Sequence, residues 1–233
     1  MDPAPIAAGE DALAVHLESP GGGEWRRTTL PLRPDTSAIS QLAVMEDGRL
    51  VGLPNAYFAM VVVDPKDGRT ERVPLSVSAY GLLPVGSKVF IAGYPSARTM
   101  VFDTARPMTW EEDLPGRPGV KETDPQANPK LLRFLGQDTG GAHIGMMLRR
   151  GADGNIYMVA RRHRYFYGFA LVWFNPEPNE KGEFVSHVFD DGGAFNHLQI
   201  SAMQSLDGGR QMLISTQVQH NKQLPGEAPA SAS

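Results

Sequence analysis

Cysteine is absent from all 233 residues. Its absence excludes disulfide bridges, thiolate metal sites and cysteine nucleophiles together, while leaving the redox compartment unassigned, because secreted proteins also fold without bridges. Long apolar runs are missing too. Runs such as 59–63 and 169–174 fall far short of the roughly 20 residues that a membrane-spanning helix needs. The chain has no excess of basic residues: the formal net charge is -4 and the pI about 5.9. Nucleic acid, which calls for a strongly basic face or stripe, is not an expected partner. Residues 1–9 hold no basic stretch followed by an apolar core, so no secretory signal is expected in this chain. The glycine- and histidine-based signatures of serine hydrolases, P-loops, dinucleotide folds and zinc proteases are likewise lacking.

What is present points to β structure. The 25 glycines and 19 prolines suit a chain with many tight turns, and 233 residues fit one large all-β domain. Residues 142–190 read as four short strands in succession, with Asp153-Gly154 at the first turn. The same grammar runs from ISQLAVM at 39–45 through Asp47-Gly48, and again from SAYGLLPV at 78–85 through Gly86-Ser87. A fourth copy supplies two strands, HLQISAMQ at 197–204 and QMLIST at 211–216, around Asp207-Gly208. Its missing third and fourth strands match the N-terminal pattern ALAVHLESPGGGEWRRTTL at 12–30. A fixed internal repeat of this kind outranks any single motif as evidence of architecture.

The expected fold is therefore an all-β β-propeller of four-stranded antiparallel blades, four in number, with the N-terminal hairpin completing the last one. A fragment of a larger propeller is the alternative. The expected layout is a flexible lead at 1–10, one domain at 11–218 with an irregular insertion at about 104–128, and a flexible tail at 219–233. The blade pattern resembles the broad propeller group that includes NHL, Kelch and gluconolactonase-like proteins, over nearly the whole chain. No signature of one particular family accompanies it, and a fold shared by many chemistries does not choose among them.

Blade topology sorts residues by end. The start of each first strand and the link from second to third strand lie at one end, and the Asp-Gly turns at the other. Ten residues before the turn stand His143 in one copy and His197 in the next, with Gln199 two positions beyond. Imidazole ligates metals and moves protons near neutral pH, so His143 and His197 are the candidate catalytic residues, and with Gln199 the candidate metal ligands. The bland alternative is a pair of histidines that satisfy backbone groups. The links carry Arg161, Arg162, Arg164, Tyr165 and Tyr167 in one copy and Tyr94 in another. Arginine forks grip carboxylate or phosphate, and tyrosine rings stack on sugar faces; the competing reading is a solvated turn leading into a strand. The leading expectation is a binding or interaction module for a small acidic ligand, a glycan or a protein surface, with no cofactor established. The alternative resembles propeller lyases that act on acidic oligosaccharides, which implies a divalent metal ion held by His and Gln.

Overall fold

The computed structural model describes residues 12–18, 25–31, 39–54, 58–109, 126–134, 142–162, 168–181, 184–189 and 198–218. Within these, the side chains of 12–18, 25–31, 133, 134, 142, 143, 162, 199, 217 and 218 lie outside the described set. The expected lead at 1–10 and tail at 219–233 also fall outside it.

The fold is all-β. A first sheet of four antiparallel strands comprises β3 (Ile39–Val44), β4 (Leu50–Pro54), β5 (Ala59–Val63) and β6 (Thr70–Pro74). The second holds β7 (Ser78–Val85), β8 (Lys88–Tyr94), β9 (Arg98–Asp103) and β10 (Lys130–Phe134). The third holds β11 (Ala142–Arg150), β12 (Ile156–Arg162), β13 (Phe169–Phe174) and β14 (Ser186–Val188). In each, strands adjacent in sequence are adjacent in space, as tight turns favour. Two hairpins stand beside them: β1 (Ala12–Glu18) with β2 (Trp25–Pro31), and β15 (Leu198–Leu206) with β16 (Gln211–Val218). These remain separate two-stranded sheets among the described residues, so the expected pairing of β16 with the N-terminal hairpin is not formed in this structure.

Local chemistry explains the turns. Gly48 and Gly154 take φ of 88° and 82°, a region that glycine enters at no steric cost. The Asp before each accepts from the backbone N–H two residues on, Arg49 at 3.0 Å and Asn155 at 3.1 Å. Third strands stop on the same device. Asp64, Asp103 and Asn175 accept from the amides of Lys66, Ala105 and Glu177 at 2.9, 3.0 and 2.9 Å, which folds the chain back towards the fourth strand.

Successive sheets pack face to face. Val51, Leu53, Met60 and Val62 of the first meet Ile91 and Phe102 of the second in one buried cluster. Phe90 and Ala92 of the second meet Leu148, Ile156, Met158 and Phe174 of the third in another. Val159 and Phe169 of the third close on Ile200 and Met203 of the last hairpin. Because side chains alternate across a strand, each middle sheet presents one apolar set backward and another forward.

All four first strands carry a bulge at the same place in this stack. The extra residue is Ser40 in β3, Tyr80 in β7, Met146 in β11 and Ser201 in β15. A bulge bends its strand and re-aims the neighbouring groups, and here it lets first strands approach closely. The Gln41 side chain donates to the Tyr80 carbonyl of the next sheet, and Gly81 abuts the Met146 carbonyl of the sheet after that.

The insertion expected at 104–128 is pinned at its base. Asn128 is buried; its side-chain amide donates to the carbonyls of Asp103, Arg106 and Pro107 at 2.9, 3.1 and 3.2 Å, and its side-chain oxygen accepts from the Asp103 amide at 2.8 Å. Residues 110–125 lie outside the described set.

Candidate functional site

The strand registers define two chemically different ends. Ile39 pairs with Pro54, Ser78 with Tyr94, Ala142 with Arg162 and Leu198 with Val218, so first-strand starts share one end with the links between second and third strands. The opposite end carries the Asp-Gly turns, where Val44 pairs with Leu50 and Arg150 with Ile156.

The turn end is occupied by its own charges. Arg49 bridges Asp47 at 2.6 Å and also donates to Thr104 of the next sheet at 2.6 Å. The Arg49 hydrogen bond holds the Asp47 carboxyl below its ordinary value, and the Asp47 hydrogen bond raises the Arg49 guanidinium. At Asp153, burial pushes the carboxyl up, yet the hydrogen bonds from Asn155 and Tyr157 together bring it below the ordinary value. Burial, followed by the hydrogen bond to Asp153, raises the Tyr157 phenol. Lys88 reaches Glu177 of the third sheet at 2.7 Å, and the Ala152 amide donates to Gly209 at 2.9 Å. These contacts tie the turns to the sheets that follow them.

The link end is different. Tyr94 closes β8 and is exposed; the chain then passes through Pro95, after a cis peptide bond, and through Ser96 and Ala97 at φ of 59° and 46°. Left-handed backbone at two consecutive non-glycine residues costs about 1 kcal/mol or more at each. Strain of this kind clusters at sites with a task. Arg98 opens β9 and donates to the Ser76 carbonyl at 3.5 Å. Across the sheet interface, Gly145 of β11 lies against Ala92 and Gly93 of β8, so the starting end of β11 and the finishing end of β8 lie together. Arg161, the last but one residue of β12, stands at this same end, half-buried and paired through its backbone with Ile144 and Phe169.

Two further aromatics join this end. Phe58 stands exposed just before β5, and Tyr80 is exposed at the bulge of β7. Sequence reasoning passes over Tyr80 for a definite reason. By strict alternation it shares a face with Leu82, which is buried, and the bulge breaks that parity. Of the four large aromatics exposed among the described residues, Phe58, Tyr80 and Tyr94 belong to the link end, and Phe189 lies beside the outer strand β14.

Other candidates divide by what is described. The backbone of Arg162 pairs with Ala142, and Gln199 pairs with Gln217 through the backbone, while both side chains lie outside the described residues. Arg164, Tyr165, Tyr167 and His197 lie outside entirely. His143 sits in a second bulge of β11, between the pairs at Ala142 and Ile144. Among the described residues, no group of three or more His, Asp or Glu could hold a metal ion.

No protein-family model matches the sequence, and no curated protein matches it. Among solved structures, the chain is similar to a chain of Kuenenia stuttgartiensis hydrazine synthase, with a TM-score of 0.43 and 12% identity. The match covers 85% of this chain and spans 60% of the other's length.

Proposed function

We propose that the chain is a binding propeller whose link end recognises an acidic group carried by a small ligand, a glycan or a protein surface. One observation carries this reading: Phe58, Tyr80 and Tyr94 are exposed at the end where Arg98 and Arg161 also stand. Large aromatic rings left in water at the end that also carries two arginines would suit a ring that bears a carboxylate. The rings stack and the arginines supply paired hydrogen bonds. The opposite end supports the same choice, since Asp47 with Arg49, Lys88 with Glu177, and Asp207 with Arg210 are engaged with one another there. The chain would act by holding its ligand, with the arginines setting selectivity for negative charge.

The test compares immobilised polygalacturonate with neutral dextran. The wild-type chain should retain the acidic polymer and pass over the neutral one. Replacing Arg161 and Arg164 together by Ala should weaken retention at least about tenfold, the scale expected for losing charge-assisted hydrogen bonds. Equal retention by the variant rules the arginine site out.

A further inference from the structure

The extra residues that the first strands share differ in how each is used. Ser40 turns its hydroxyl back to the Leu53 carbonyl at 3.1 Å, and Ser201 turns its own to the Ser215 hydroxyl at 2.9 Å, so both are held within their own sheets. Met146 is half-buried. Tyr80 is the one aromatic of the four, and it stands 41% exposed at the link end.

The backbone of Tyr80 is held from outside its own sheet. An extra residue has no opposite number in the ladder: Ala79 pairs with Gly93 and Gly81 with Ala92, which leaves Tyr80 between them. The side-chain amide of Gln41, in β3 of the preceding sheet, donates to the Tyr80 carbonyl. Gln41 is the residue after the bulge of its strand. The same place holds Gly81 in β7, Met147 in β11 and Ala202 in β15, none of which carries a side-chain donor. The amide is therefore particular to this junction and is not part of the repeated pattern. Fixing the carbonyl fixes the peptide that follows Tyr80, and with it the bulge that turns the ring away from the side of buried Leu82.

We infer that Tyr80 is the specificity-determining residue of the link end, selecting acids that carry a ring, and that Gln41 is the residue that positions it. The inference rests on the reading of this end as a binding face for acidic ligands, and it adds what the acid must be attached to. Charge alone calls for no aromatic, because guanidinium groups grip a carboxylate on any carrier. An exposed tyrosine gains by covering its apolar face. A ring in the ligand covers that face as one rigid body, whereas a flexible acyclic chain loses conformational entropy in doing so. Tyrosine itself has only two side-chain torsions to fix, so little is lost on its own side.

The probes are trigalacturonate and triglutamate, linear trimers of equal net charge at neutral pH, one built of rings and the other acyclic. Calorimetry on the full chain should show a preference of about tenfold for trigalacturonate. Tyr80→Leu should cut that preference about fivefold, and Tyr80→Phe, which keeps the ring, should retain most of it. Gln41→Met, close in shape but without the donor, should lower the preference about threefold, and Gln41→Lys, which restores a donor, should recover it. An added charge acts on both probes, so their ratio isolates the ring. Hydroxyl-radical footprinting without ligand reads the position of Tyr80 directly: its oxidation should fall about twofold or more in Gln41→Met and recover in Gln41→Lys, with Tyr94 unchanged. Equal affinity of the parent for the two probes, or an unchanged preference in Tyr80→Leu, would overturn ring selection while leaving the acid-binding face in place. Binding of neither probe would overturn both together. An unchanged footprint or an unchanged preference in Gln41→Met would overturn the positioning role.

Discussion

Gly81 of β7 stands so close to the Met146 carbonyl of β11 that a Cβ built on it would lie 1.7 Å from the oxygen. One sheet earlier, Gln41 of β3 reaches the Tyr80 carbonyl of β7. In both cases the residue after a bulge meets the carbonyl of the next bulge, through its side-chain amide at Gln41 and by close backbone approach at Gly81. Nothing larger than glycine fits at Gly81 without moving β11.

Gly81→Ala is therefore expected to destabilise the protein by about 3 kcal/mol or more, at the upper end of overpacking costs. Chemical denaturation measures it. Gly68→Ala is not a neutral control, because its φ of 75° adds backbone strain; Gly52→Ala is the better comparison. There the nearest atoms would be side-chain methyls at 3.3 Å or more, and the cost should be clearly smaller.

Asn128→Ala should cost about 2–4 kcal/mol, since several buried backbone groups lose their partner at once. Because Asn128 joins the two ends of the insertion, limited proteolysis of this variant should cut first within 104–128. A variant as stable and as protease-resistant as the parent would show that the clamp has no such role.

Stability should decline as pH falls below about 4. Asp47 and Asp153 both have folded-state pKa values below the ordinary 3.8. A depressed carboxyl contributes stability that is fully present above the unfolded value and is lost as pH drops through the folded one. Both carboxyls are largely exposed, so the effect is modest and screened by salt. Melting temperature followed from pH 5 to pH 2.5 should fall less steeply in Asp47→Asn/Asp153→Asn than in the parent. Parallel curves would contradict the assignment.

Much of the architecture was legible because strand alternation and Asp-Gly turns are local. The runs around Asp47-Gly48 and Asp153-Gly154 open four-stranded meanders, as their patterns predict. Bulges were not legible, since an extra residue is defined by the partner strand it fails to meet. That is why strict alternation puts Tyr80 on the wrong face of β7. Tyr94 and Arg161 were assignable to one end because the order of strands fixes ends without needing register. The hold of Asn128 on Asp103, 25 positions away, has no sequence signature at all.

The central claim, that the link end is the binding face, is most directly tested by hydrogen-exchange footprinting of the chain with trigalacturonate. The account predicts slowed exchange around Phe58, Tyr80, Tyr94–Arg98 and Arg161, with the turns at Asp47, Asp153 and Asp207 unchanged. Protection confined to those turns, or no protection anywhere at saturating probe, would contradict it.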